Sequence, residues 1–191
     1  MIEIRIHGRG GQVNVVAAYL LATAAFEEGR HCQAFPSFGA ERRGAPVASF
    51  VRIDESPIKR RDQVKSPAFL IVQDPSLLHI PSVMEGLHPE GGIMVNSTLP
   101  AEEWAGECVC PVITVPAARM AQDILGRPMP NVALLSAFLT ATGLLKRESL
   151  GTALGERFTG EVLNRNLTLI DSAAETVTAG QWKERLDATR A

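Results

Sequence analysis

Isoleucines at positions 2, 4 and 6 alternate with polar residues in "MIEIRI", and that period of two predicts a short strand. The alternation breaks at the glycines of "HGRGGQ". In "NVVAAYLLATAAFEEG" the pattern predicts a helix, with Val16, Tyr19, Leu20 and Ala24 available for packing and Gly29 as the C-terminal stop. "CQAF" and "VASFVRI" predict two further strands, separated by the segment "PSFGAERRGAP". Three later runs, "FLIVQ" at 69–73, "GGIMVN" and "CVCPVITV", carry the signature of strands buried on both faces. Short helical or loop stretches lie between them, around "PSLLHIPSVMEGL" and "AEEWAG". The C-terminal part changes character: "NVALLSAFLTATGLL", "SLGTALGERF" and "GEVLNRNLTLIDSAAETVTAG" all predict helices.

Strands alternating with helices point to an α/β layered arrangement with a mostly parallel sheet. No repeat, low-complexity run or obvious interdomain linker interrupts it. The expectation is a single three-layer Rossmann-like domain over residues 1–191, with helices on both faces. A right-handed crossover from the first strand through the first helix places residues 8–12 at the carboxyl edge of the sheet, where ligands usually sit in such folds.

Composition narrows the class. At 191 residues, 46% hydrophobic and 21% charged, the chain has the profile of a soluble globular protein with one substantial core. A net charge of −2 gives no support to generic nucleic-acid or acidic-membrane binding. The start "MIEIRIHGRG" has no basic region leading into a long apolar stretch, and no apolar run approaches membrane-spanning length. The three cysteines, an odd and sparse set, suit a reduced cytoplasmic chain better than a disulfide framework. Cys108 and Cys110 form a C-x-C pair, which in a strand puts both thiols on one face. With no second cysteine pair and no nearby histidine, small hydrophobes in a buried strand are favoured over part of a metal site.

Gly8, Gly10 and Gly11 permit a tight strand-to-helix turn and close approach of a ligand. Free N–H groups and the positive dipole at the helix start favour an anion, and Arg9 adds charge. As a dinucleotide fingerprint the motif is incomplete. Val13 stands where the third glycine belongs, and Gln33 and Phe35 stand where the second strand should offer an acid. Glu27 and Glu28 have the right offset but close the first helix. An anion loop and a purely structural turn both stay open.

Residues 35–46, "FPSFGAERRGAP", specify a rigid, shaped loop through their prolines and glycines. Phe35 and Phe38 suit a buried contact. Arg42 and Arg43 sit beside Gly44, where little side chain obstructs a partner, and arginine forks grip carboxylates and phosphates. A solvated turn partly neutralised by Glu41 is the alternative. Downstream, Lys59, Arg60 and Arg61 form either a second basic patch or a solvated face.

Taken in order, "GRGGQ", "QAFPSFGAERRGAPV", "RIDESPIKRR" and "FLIVQDPSLL" resemble the gamma subunit of 2-oxoacid:ferredoxin oxidoreductases, especially the pyruvate (pyruvate synthase) type. The resemblance is close over about residues 3–80. One departure stands out: that family usually has glycine directly after "GRGGQ", where this chain has Val13 followed by Asn14. The resemblance implies one α/β domain of a multisubunit enzyme that oxidatively decarboxylates a 2-oxoacid, pyruvate or a branched-chain one, with CoA. The products are an acyl-CoA, CO2 and reduced ferredoxin. It also implies alpha, beta and ferredoxin-like delta subunits as partners, with ferredoxin as acceptor. Thiamine diphosphate, magnesium and iron–sulfur clusters are then expected on those partners, and no cofactor is firmly bound here. The sequence agrees, since it has no clustered C-x2-C-x2-C run and no G-D-G followed by paired asparagines. CoA at a shared site is the implied ligand. Gly8, Arg9, Gly10, Gly11, Gln12, Arg42, Arg43 and Gly44 are the candidate phosphate-facing set, with no catalytic or metal-ligating residue. Two alternatives stay open: a noncatalytic scaffold subunit of such a complex, and a free-standing dinucleotide-dependent oxidoreductase.

Overall fold

The computed structural model describes residues 1–37, 44–104 and 106–190. One six-stranded sheet runs in the order β2-β3-β1-β4-β5-β6. Its strands are β1 (Ile2–Arg9), β2 (His31–Pro36), β3 (Pro46–Asp54), β4 (Phe69–Val72), β5 (Gly92–Asn96) and β6 (Val112–Val115). β1 pairs in parallel with β4, β4 with β5, and β5 with β6, while β3 lies antiparallel between β1 and β2. The sheet is mostly parallel as expected. β3 is the exception because residues 37–45 are too few for a crossover and force a hairpin.

The helices are α1 (Asn14–Glu27), α2 (Pro81–Met84), α3 (Ala117–Leu125), α4 (Asn131–Thr142), α5 (Arg147–Gly155), α6 (Gly160–Ala174) and α7 (Lys183–Ala188). Ile2, Ile4 and Ile6 project from one face of β1 into the main core, beside Phe69 and Ile71 of β4 and against Leu21 of α1 and Phe138 of α4. α4 is apolar on nearly all sides because it is buried on nearly all sides.

The two faces are covered unequally. Over β4 and β5, Leu70, Val72, Ile93 and Val95 pack with Leu77, Leu78, Val83 and Trp104 from α2 and two short 3-10 turns. Over β1 and β3 the cover is polar, and Glu3, Arg5, His7 and Arg52 are all buried. Arg52 Nε donates to Glu3 at 2.7 Å, and its guanidinium reaches Gln33 and Asp62 at 3.4 Å. The same group lies 5.5 Å from the centre of the Phe35 ring, which is itself 5.2 Å from Phe50. Phe35 is thus half-buried and packs on the buried Phe50, while Phe38 lies outside the described residues.

Two expectations are corrected. β6 starts at Val112, so Cys108 and Cys110 precede the strand and do not share a strand face. Pro111 has no N–H for a ladder, and Cys108 N–H turns back to Trp104 O at 3.1 Å. Both cysteines pack against the second-face core, and Cys110 Sγ donates to the His88 carbonyl at 3.3 Å. Tyr19 does not join the packing face of α1; it is exposed, and Ala17, Ala18, Leu20, Leu21, Ala24 and Ala25 are buried instead. Among the described residues no helix is long and apolar enough to cross a membrane.

Candidate functional site

The glycine loop turns at the carboxyl end of β1. Gln12 N–H donates to Arg9 O at 2.9 Å, and Arg9 N–H donates to Gln12 Oε1 at 2.7 Å, closing the turn from both sides. A Cβ at Gly8 would lie 3.1 Å from Gln12 Oε1 and 3.2 Å from Asn14 Oδ1, so the loop folds over a bare backbone. Val13 then takes φ 57°, ψ 35°, the left-handed region. A β-branched residue there costs on the order of 1–2 kcal/mol. This is the position directly after "GRGGQ", where the resemblance leads to an expectation of glycine.

The antiparallel run of β3 brings the end of the arginine loop back to this turn. Gly10 N–H donates to Ala45 O at 2.9 Å and Gly44 N–H donates to Gly10 O at 3.3 Å. Gly8–Gln12 and Gly44 therefore share one edge. Arg42 and Arg43, with Glu41, lie outside the described residues. Arg9 points into the protein's own network: Nε meets Asp74 at 2.5 Å, and the two terminal nitrogens donate to Gly44 O at 3.1 Å and Ser76 Oγ at 2.7 Å. Burial opposes ionisation of Asp74, but hydrogen bonds from Ser76 and Arg9 hold its carboxyl below the usual range. Arg9 thus braces three loops. In the downstream cluster, Arg60 pairs with Asp62 at 2.8 Å, and Lys59 and Arg61 are exposed.

Sequence reasoning missed a row of carboxamides along the same edge. Asn14 Nδ2 donates to Ile6 O at 2.8 Å and Val47 O at 2.9 Å. Gln73 N–H reaches His7 O at 2.8 Å, and Asn96 Nδ2 reaches Gln73 O at 3.0 Å. Asn96 Oδ1 in turn accepts from Ala118 N–H at 2.9 Å, tying β5 to the start of α3. The available signal was the carboxamide ending both "FLIVQ" and "GGIMVN".

On the polar face, a cleft of about 760 Å³ is lined by Arg5, His7, Ser37, Phe50, Lys65 and neighbours. Arg5 donates to Val83 O at 3.1 Å and Glu85 O at 2.5 Å. Burial, with Arg5 adding to it, pushes His7 down to about 3, so its imidazole is neutral at ordinary pH. Burial also raises all three thiols, which keeps them from acting as ready thiolates. Among the described residues, no group of three or more His, Cys, Asp or Glu is placed to hold a metal. These contacts hold the neighbouring loops of the edge in register.

The fold is an α/β domain with a glycine turn at the carboxyl end of β1. The pyruvate ferredoxin/flavodoxin oxidoreductase family matches residues 3–176. The chain is 46% identical over 178 residues to the pyruvate/ketoisovalerate oxidoreductases common subunit gamma of Pyrococcus abyssi, covering 92% of this chain and 96% of that protein. The crystal structure of pyruvate oxidoreductase subunit PORC from Thermotoga maritima superposes with a TM-score of 0.82 at 33% identity, over 91% of this chain and 95% of that one. The 2-oxoglutarate:ferredoxin oxidoreductase of Magnetococcus marinus, solved with 2-oxoglutarate, coenzyme A and succinyl-CoA bound, shares the fold at a TM-score of 0.75 and 19% identity. The match covers 93% of this chain and 32% of that longer one. The chain belongs to the pyruvate ferredoxin/flavodoxin oxidoreductase family, as a gamma-type subunit of a multisubunit oxidoreductase.

Proposed function

We propose that this subunit serves a cytoplasmic 2-oxoacid:ferredoxin oxidoreductase acting on pyruvate or a branched-chain 2-oxoacid, and that it holds CoA at the carboxyl edge of its sheet. In the reaction the bond to the substrate carboxylate breaks, CO2 leaves, the acyl group forms a thioester, and two electrons pass to ferredoxin. Thiamine diphosphate, magnesium and the iron–sulfur clusters belong on the alpha, beta and ferredoxin-like delta subunits in this reading.

The observation that carries the proposal is the pairing of Gly10 with Gly44 and Ala45, the residues that follow Arg42 and Arg43 in the sequence. The residues present fit an anionic nucleotide-like group. A Cβ added at Gly11 meets nothing within 4 Å, so the turn is open to an approaching phosphate. Lys65 and Ser37 line the neighbouring cleft. Arg42 and Arg43 supply fork donors for phosphate, and Arg9 fixes the spacing of the loops. CoA, when bound, supplies the thiol that takes the acyl group. Asn14 and Gln73 keep the edge from shifting.

The test is reconstitution. The alpha, beta, delta and gamma chains together should reduce viologen dye when given 2-oxoacid, CoA, thiamine diphosphate and magnesium, whereas the gamma chain alone should not. Robust turnover by the lone chain, free of partner subunits, contradicts the assignment.

A further inference from the structure

On the helical side of the sheet, a groove of about 560 Å³ opens between the start of α1, the loop joining α3 to α4, and the first turns of α6. Val16, Leu20, Val132 and Phe158 are among the apolar side chains that line it. Arg127, Arg157 and Arg165 stand around it and are all exposed. Arg165 pairs with Glu161 one turn away, but no such ion pair engages Arg127 or Arg157 among the described residues. In a chain of net charge −2 this is a local cationic surplus. Val162, on the same wall, is 53% exposed. Asn131 also lines the groove, is only 6% exposed, and its carboxamide makes no hydrogen bond among the described residues.

The apolar floor is unfavourable to leave in water, and the cationic rim and the Asn131 carboxamide, which has no protein partner among the described residues, set what chemistry can cover it. Their complement is an apolar side chain flanked by carboxylates, with backbone groups free to meet the carboxamide. The groove begins at Val13, directly after the glycine loop. An occupant there would abut the edge assigned to CoA.

We propose that this groove seats a neighbouring subunit of the oxidoreductase. That subunit inserts an apolar side chain between Leu20 and Phe158 and sets carboxylates against Arg127 and Arg157. The inference rests on the multisubunit reading above. Arg127, Arg157 and Val162 are exposed, so changing them spares the core, and circular dichroism melts of the full chain verify that each variant folds.

The experiment reconstitutes the complex from all four chains with wild-type gamma, with Arg127→Glu/Arg157→Glu, and with Val162→Glu. Both variants should weaken assembly at least tenfold. Amide hydrogen exchange over residues 157–166 should slow when wild-type gamma assembles. Both results are required. If wild-type gamma does not assemble, the multisubunit reading fails and this inference fails with it. If wild type assembles and either variant matches it within twofold, or exchange over 157–166 is unchanged, this inference alone is overturned. If octanoate slows exchange over 157–166 in the assembled wild-type complex, the groove is open to a small amphipathic carboxylate and the subunit assignment is overturned.

Discussion

Gln73 Nε2 donates to Asn14 Oδ1 at 2.8 Å, joining the residue after β4 to the first residue of α1. Both side chains are buried. Asn14 also satisfies carbonyls of β1 and β3, so one side chain fastens three strands and a helix where the glycine loop begins. Replacing Asn14 with Leu removes three hydrogen bonds and strands buried polar groups. Each such loss costs about 1–3 kcal/mol. Asn14→Leu should therefore lower unfolding free energy by about 3 kcal/mol or more in urea titrations. A loss below about 1 kcal/mol contradicts the structural role.

Val13 is the one non-glycine residue with positive φ among the described residues. Val13→Gly removes the left-handed penalty of about 1–2 kcal/mol, and glycine's added chain entropy returns about 0.5–1 of it. The variant should be more stable by about 0.5–1 kcal/mol, a rise of roughly 2–4 °C in Tm per kcal/mol. Val13→Ala keeps the Cβ and should gain much less. Equal or lower stability for the glycine variant means that Val13 side-chain packing outweighs the strain.

Arg52 is fully buried and paired to Glu3. Removing only this cation leaves the buried Glu3 carboxylate with the more distant, exposed Arg60 at 3.7 Å as its remaining partner, a loss of up to about 3–5 kcal/mol. Arg52→Met should show that loss in urea titrations, and Arg52→Met/Glu3→Leu should recover most of it. If the double variant is as weak as the single one, the reach of Arg52 to Gln33, Asp62 and Phe35 dominates instead.

His7 sets an acid limit. Its ordinary value is 6.5 and its folded value is about 3, so between these the unfolded chain binds the extra proton. Its contribution is complete above about pH 6.5 and is lost as pH falls toward 3, at ~1.4 kcal/mol per pH unit for one group. Asp62, held at about 2 by Arg60, contributes above its ordinary 3.8, and that contribution goes as pH falls through 2. His7→Gln should flatten stability between pH 6.5 and 4 while leaving the steeper loss below it. An unchanged slope in that window places the titration elsewhere.

Much of this fold was legible because its strands carry strong patterns. The Ile2–Ile4–Ile6 alternation and the buried runs at Phe69 and Gly92 all became strands. Strand direction was not legible, since periodicity has no sign, and β3 owes its reversal to the short 37–45 connection. The run through Cys108 and Cys110 was apolar enough to pass for strand, but Pro111 delays the ladder. In the site, the glycine turn was readable from composition. The engagement of Arg9 was not, because Asp74 and Ser76 are more than sixty residues away in the chain. Asn14, Gln73 and Asn96 were equally dispersed, and only the three-dimensional sheet edge lines them up.

The central proposal is that the edge formed by Gly8–Gln12 and Gly44, together with Arg42 and Arg43, holds CoA. Its most direct measurement is the CoA dependence of the reconstituted complex carrying Arg42→Ala or Arg43→Ala, with exposed Arg61→Ala as the control. Loss of about 1.4 kcal/mol of phosphate contact raises the apparent KM for CoA about tenfold. The prediction is a rise of that order in at least one loop variant, with the KM for 2-oxoacid and the assembly of the complex unchanged. A CoA dependence identical to wild type in both variants would contradict it and leave the subunit a scaffold.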